Sequence, residues 1–199
     1  MKLAILLSGR GSNFVAIHEA IARGDLDAGI VCVISNRPDA PGIEHARSLG
    51  LPAFVVDHRT FANRTEHEAE VLRILEDARP DFIALAGYMR LLSPQFVATY
   101  PMRIVNIHPS LLPSFPGVDA QAQAVAAGVK VSGCTVHFVD ENLDAGPIIV
   151  QRTVRVRDDD TPSTLADRIL IEEHIAYVEA LAALSTGRYH IDGRRVLLG

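Results

Sequence analysis

A chain of 199 residues, 48% hydrophobic and 22% charged, holds enough apolar side chain for a sizeable buried core and does not have the composition of a disordered chain. Its 19 basic and 24 acidic residues leave a net charge of −5, which argues against general affinity for nucleic acid or an anionic membrane surface. Cys32 and Cys134 lie in apolar runs without CxxC or zinc-ligand spacing, and read as buried free thiols of a reducing compartment.

The apolar run at 3–7 is too short for a signal peptide or a membrane span and ends on a glycine turn, so it reads as a first core strand. Spacings of three and four at Phe14, Ile17 and Ile21 predict a helix over 14–22. A strand at 30–34, a proline-containing loop at 36–41, a helix at 43–49 and a strand at 53–56 follow. A charged amphipathic helix is expected over 64–78 with Val71, Leu72 and Leu75 inward. Then come a strand at 82–86, a short helix at 94–99 and a strand at 104–107. Short apolar strands alternating with amphipathic helices imply βαβ units. The pattern changes after 110. A proline-rich loop leads to a helix at 120–127, and long strands at 129–139 and 148–156 are joined through 140–147. A long helix at 164–184 has Asp160-Thr161-Pro162 as its start signal. Strands at 189–191 and 195–198 flank Asp192-Gly193 as a terminal hairpin. The expected fold is α/β: a mostly parallel, Rossmann-like sheet flanked by helices, with an antiparallel or mixed C-terminal extension. One domain over 1–199 is expected, in two halves, 1–110 and 111–199.

The segment Asn106-Ile107-His108-Pro109-Ser110-Leu111-Leu112-Pro113 carries the most chemistry. Strand alternation puts Asn106 and His108 on one face, and the prolines end regular structure just beyond them. Asp144, in a downstream turn, supplies a carboxylate that can orient the imidazole. An amide and an imidazolium are suitable donors to the oxyanion of an acyl transfer. The competing reading of His108 is a buried histidine in a proline turn, and of Asp144 a turn residue bonded to its own backbone. His137 reads as structural or as supporting the site. Ser110 lies outside any Gly-x-Ser-x-Gly elbow, and no HExxH pair points to a metal. The turn Gly9-x-Gly11-Ser12-Asn13 lacks the third glycine of the dinucleotide fingerprint and the lysine of a P-loop. It reads either as an anion site at a helix start or as a tight turn in which Ser12 or Asn13 caps the helix.

Taken together, these segments resemble the folate-dependent phosphoribosylglycinamide formyltransferases along essentially the whole chain. The resemblance rests on Ser8-Gly9-Arg10-Gly11-Ser12-Asn13, Ser35-Asn36, Ala86-Gly87-Tyr88-Met89-Arg90-Leu91-Leu92, the segment from Asn106 to Pro113, Thr135-Val136-His137-Phe138-Val139, Leu143-Asp144-Ala145-Gly146-Pro147 and Glu173-His174. His-Pro-Ser-Leu-Leu-Pro is shared by the broader formyltransferase superfamily. The Gly-Ser-Asn turn with Glu173 narrows the resemblance to glycinamide ribonucleotide as substrate. It implies a formyltransferase fold and direct transfer of formyl from 10-formyltetrahydrofolate to the glycinamide amine in purine synthesis, with no metal and no covalent enzyme intermediate.

The same resemblance implies that Asn106 and His108 stabilise the oxyanion while Asp144 keeps His108 protonated. It assigns Gly11, Ser12 and Asn13 to the substrate phosphate. Leu170, Ile171, Glu172 and Glu173 go to the same substrate, with Glu173 on the ribose hydroxyls. Met89, Arg90, Leu91 and Leu92, with Asp140, Glu141, Asn142 and Leu143, are implied to line the folate slot beside Asn106, and Arg64 to approach the folate's glutamate tail. A cis bond before Pro113, a cytoplasmic location and a monomer or homodimer acting only on small molecules are further implications. The sequence departs from the family at Asp119, a position often His or Asn, so no imidazole is available there. A sugar-amine formyltransferase or a non-catalytic folate- or nucleotide-binding module are the alternatives. The tRNA-directed and deformylase branches carry an extra domain for which 199 residues leave no room.

Overall fold

Contiguous apolar stretches separated by glycine and proline turns give the chain its alternating order of strand and helix. The computed structural model describes residues 1–199, which form two compact units, Met1–Val105 and Asn106–Gly199. In the first, β1 (Lys2–Leu7) leads through α1 (Ser12–Arg23) to β2 (Gly29–Ser35). The chain continues through α2 (Pro41–Ser48), β3 (Ala53–Val55), a single 3-10 turn at His58–Thr60, α3 (Arg64–Ala78), β4 (Phe82–Leu85) and α4 (Pro94–Thr99). The strand order is β3-β2-β1-β4, and the pairings of β1 with β2, β1 with β4 and β2 with β3 are parallel. Leu3 through Leu7 are fully buried, as an unbroken apolar run must be in a strand covered on both faces. The order reverses between β1 and β4, so the turns leaving their carboxyl ends flank a topological switch point, where open α/β sheets bind ligands.

The chain passes into the second unit along β5 (Ile104–His108). That unit continues with α5 (Ala120–Ala126), β6 (Val131–Phe138), β7 (Ile148–Arg155), α6 (Pro162–Ser185), β8 (Tyr189–Asp192) and β9 (Arg195–Leu198). β6 pairs antiparallel with β7, β8 antiparallel with β9, and β7 touches β9 in parallel at Ile148 and Arg195. The expected α/β class with a mixed C-terminal extension is what forms. α6 packs on β6 and β7 and buries Leu165, Ile169, Tyr177, Leu181 and Leu184. No helix is long and apolar enough to cross a membrane. Both cysteines are free and buried, and burial pushes their thiols up to about 12.

Three local expectations are corrected. The inward stripe of α3 is Val71, Ile74 and Leu75 together with His67 and Glu68, while Leu72 is only partly buried. Residue 72 lies about 100° around the helix from 71, whereas 74 and 75 return to its face. The terminal hairpin turns on Gly193 and Arg194, because Asp192 pairs with Arg195; Gly193 supplies the positive φ of 58°. Last, α6 starts at Pro162, two residues before the expected 164. Thr161 caps it by accepting from the Thr164 N–H at 3.2 Å, and the Thr164 hydroxyl accepts from the Thr161 N–H at 3.0 Å. This reciprocal capping box satisfies two donors that the helix cannot. Thr161→Ala is therefore expected to cost about 1 kcal/mol, read as a lowered urea midpoint; an unmoved midpoint would show that water replaces the cap.

Candidate active site

Asn106 and His108 leave β5 on one face of the strand, as alternation requires. His108 is buried and Asn106 half-buried. The turn between β6 and β7 returns Asp144 to them. Its backbone takes a left-handed conformation, φ 50°, rare for a residue with a side chain. Asp144 Oδ2 lies 3.4 Å from His108 Nδ1 and accepts the Gly117 N–H at 2.8 Å. The other ring nitrogen, Nε2, donates to the Phe115 carbonyl at 2.8 Å. The imidazole therefore has a carboxylate beside one ring nitrogen and a carbonyl accepting from the other. The Asp144 carboxylate is itself held in place by a backbone donor, the Gly117 N–H.

His137 supplies what the sequence reading left open for it. Its Nδ1–H donates to the Phe138 carbonyl at 2.8 Å, which leaves the Nε2 lone pair facing Asn106 Nδ2 at 3.3 Å. That contact fixes which end of the Asn106 amide is the donor. Burial is the main force holding the His137 imidazole below its ordinary pKa, and so neutral, although Asp144 Oδ1 lies 3.8 Å from its Nε2. The Leu112–Pro113 bond is cis. Thr135 Oγ1 donates to the Ser110 carbonyl at 2.7 Å and accepts the Leu112 N–H at 3.0 Å, tying the segment after His108 to β6. The Phe115 and Gly117 backbone groups were missed by sequence reasoning, since main-chain donors and acceptors leave no residue-type signal.

In the first unit, the glycine turn leads into α1 without a side-chain cap. Gly11 is itself the N-cap of α1, at φ 72°, with no side-chain cap, and Ser12 is already the first helical residue. This corrects the expectation of a Ser12 or Asn13 cap. Glycine is required at 11: besides the positive φ, a Cβ there would sit 3.2 Å from the Gly42 Cα and 3.2 Å from Leu7 Cδ2. An uncapped first turn with its N–H groups and partial positive charge is what an anion seeks. The segment after β4 presents Met89 and Leu91 at 75% and 64% exposure, large apolar side chains on either side of Arg90. Arg64, at the start of α3, is 3.9 Å from Glu68.

In the second unit, Leu143 is exposed within the 140–143 loop, and Asp140 accepts the Asn142 N–H at 2.9 Å. Leu170 through Glu173 do not share one face, because successive helical residues are about 100° apart. Glu173 is buried, Ile171 is exposed, and Glu172 is held by Arg152 at 2.6 Å. Asp119 is the N-cap residue of α5 but makes no side-chain cap.

Comparison with known proteins gives a consistent picture. A family described as formyl transferase matches residues 1–181. The phosphoribosylglycinamide formyltransferase of Bacillus subtilis is 41% identical over 92% of this chain and 94% of its own length. The trifunctional purine biosynthetic protein adenosine-3 of Drosophila melanogaster is 49% identical over 94% of the chain, which spans only 14% of that larger protein. Among solved structures, glycinamide ribonucleotide transformylase 1 from Symbiobacterium toebii superposes with a TM-score of 0.97. It is 45% identical and aligned over all of this chain and 93% of its own.

Proposed function

This chain belongs to the formyl transferase family, and on that premise we propose that it transfers a formyl group from 10-formyltetrahydrofolate to the amine of glycinamide ribonucleotide. The observation that carries the proposal is the His108–Asp144 pair at 3.4 Å with Asn106 on the same strand face. The amine attacks the formyl carbon and charge gathers on the formyl oxygen. The Asn106 amide and the His108 imidazolium donate to that oxygen, each worth on the order of 2–4 kcal/mol in a site that excludes water. The tetrahedral intermediate collapses by breaking the bond to the folate nitrogen, and the proton shed by the amine passes to that nitrogen with Asp144 and His108 as relay. Nε2 of His108 can serve the oxyanion only by exchanging the Phe115 carbonyl for it, so productive binding includes a shift of the loop that holds Phe115.

The remaining roles are assigned on the same footing. The phosphate binds at Gly11, Ser12 and Asn13, where the first turn of α1 has no side-chain cap. Glu173, with Leu170, Ile171 and Glu172 on the same helix, takes the ribose end. Arg64, Met89 through Leu92, and Asp140 through Leu143 take the folate, to which exposed Met89, Leu91 and Leu143 offer apolar contact. Purified protein given both substrates is expected to form one formylated ribonucleotide per tetrahydrofolate. Release of tetrahydrofolate without an amine acceptor would make it a hydrolase and end the proposal. Ser12→Ala is expected to raise the ribonucleotide KM about tenfold, equivalent to ~1.4 kcal/mol, with the folate KM unmoved; an unaltered ribonucleotide KM would remove Ser12 from the phosphate site.

A further inference from the structure

We propose that Ser8 is a positioning residue shared by both substrate sites: its buried hydroxyl ties the turn that takes the ribonucleotide phosphate to the loop that takes the folate. The inference rests on the assignment of those two segments above. Ser8 follows the last residue of β1 and is 6% exposed. Its N–H donates to the Gly87 carbonyl at 3.1 Å, and its Oγ accepts the Met89 N–H at 2.8 Å. The hydroxyl proton goes to Asn36 Oδ1 at 2.5 Å. Asn36, 3% exposed, is held in turn by His58, whose Nδ1 lies 2.9 Å from its carbonyl and 3.2 Å from its Nδ2. The hydroxyl is therefore engaged both as donor and as acceptor, and the side chain is too buried to be a main ligand contact.

The position of Ser8 in the chain gives these bonds their consequence. Gly9, the next residue, accepts the Gly42 N–H at 3.0 Å and opens the turn that ends at the N-cap Gly11. On the other side, Gly87 and Met89 begin the loop whose exposed apolar side chains are Met89 and Leu91. The far end of that loop has a separate anchor: Glu68, 6% exposed, accepts the Ser93 N–H at 2.9 Å and the Ser93 hydroxyl. Glu68 thus holds the folate loop alone, with Arg64 beside it, whereas Ser8 holds the loop and the phosphate turn together. Asn36 joins this network because its amide oxygen fixes the rotamer in which the serine faces Met89.

The test is steady-state kinetics with each substrate varied in turn. Ser8→Ala is expected to raise the KM of both substrates about five- to tenfold, the scale of one lost hydrogen bond, with kcat within about twofold of wild type. Ser8→Thr keeps the hydroxyl and is expected to return both KM values toward wild type. Glu68→Gln is expected to raise the folate KM alone. A Ser8→Ala enzyme with only one KM raised, with both unchanged, or with only kcat lowered overturns the proposal. Wild-type protein that transfers no formyl group would overturn the functional assignment instead, so the two failures are distinguishable. A reading free of ligands is hydrogen exchange at the Met89 amide, expected to quicken about tenfold or more in Ser8→Ala; unchanged protection there also overturns the proposal.

Discussion

Replacing His108 with alanine is expected, on the proposed mechanism, to lower kcat by about a hundred- to ten-thousand-fold, the range for losing an oxyanion donor that also takes part in proton transfer. KM for either substrate should stay within about threefold, because the interaction that is lost forms as charge builds on the formyl oxygen and not when substrate binds. Asp144→Asn separates charge from geometry. Asparagine keeps an oxygen to accept the Gly117 N–H, now at 2.8 Å from the carboxylate, but removes the negative charge 3.4 Å from His108 Nδ1. His108 then loses its neighbouring carboxylate while the loop keeps its anchor. A kcat loss of about a hundredfold or more with the fold intact is expected. Full kcat in either variant would take that residue out of the mechanism. Combining the two changes should cost little more than His108→Ala alone, since residues that act as a unit do not add.

Much of this site was legible in the sequence, for reasons that differ residue by residue. Asn106 and His108 were readable because strand alternation is a two-residue rule and the prolines at 109 and 113 fix where it stops. The ranges of α3 and α4 fell where expected, and the structure shows N-caps, Asn63 and Ser93, that accept from the third residue of each helix. What could not be read depends on contacts distant in sequence. Glu68 was not among the residues expected to face inward on α3, yet it is buried, and Ser93 donates to both of its oxygens. The turn residue Asp144 was named on resemblance as well as type, and only the return of β7 along β6 fixes its height against the imidazole. The Gly11 cap was missed because Ser and Asn are the commoner caps, while here a left-handed glycine takes that position without a side-chain cap. In the hairpin, Asp192-Gly193 suggested the central pair, but strand register decided the question and moved the turn one residue on.

Gly133→Ala is expected to be the most damaging single methyl that β6 can receive. A Cβ at 133 would lie 2.0 Å from the Arg152 carbonyl oxygen, 3.0 Å from the Arg152 carbonyl carbon and 2.9 Å from Leu111 Cδ2. The first two are backbone atoms of β7, whose ladder with β6 pairs Gly133 with Thr153 and Cys134 with Arg152. A side chain can rotate away; a paired strand must open. The expected loss is about 3 kcal/mol or more, at the upper end of what overpacking costs. Gly24→Ala is the control. Gly24 has φ 80° but nothing within 4 Å of its added Cβ, so it should lose only the ~1–2 kcal/mol of left-handed strain. Urea denaturation of both separates the steric effect from the torsional one, and a Gly133→Ala protein as stable as wild type would mean that the ladder yields freely. The damage should also reach catalysis. Residues 133 and 135 share a face of β6, and Thr135 holds the Ser110 carbonyl and the Leu112 N–H. Moving β6 at 133, with Leu111 pushed from the same side, shifts the segment that begins at His108. Misplacement of about 1 Å can cost a hundredfold in rate. Where Gly133→Ala protein remains folded, in the cold or at low denaturant, its kcat should therefore fall at least tenfold although every catalytic side chain is present.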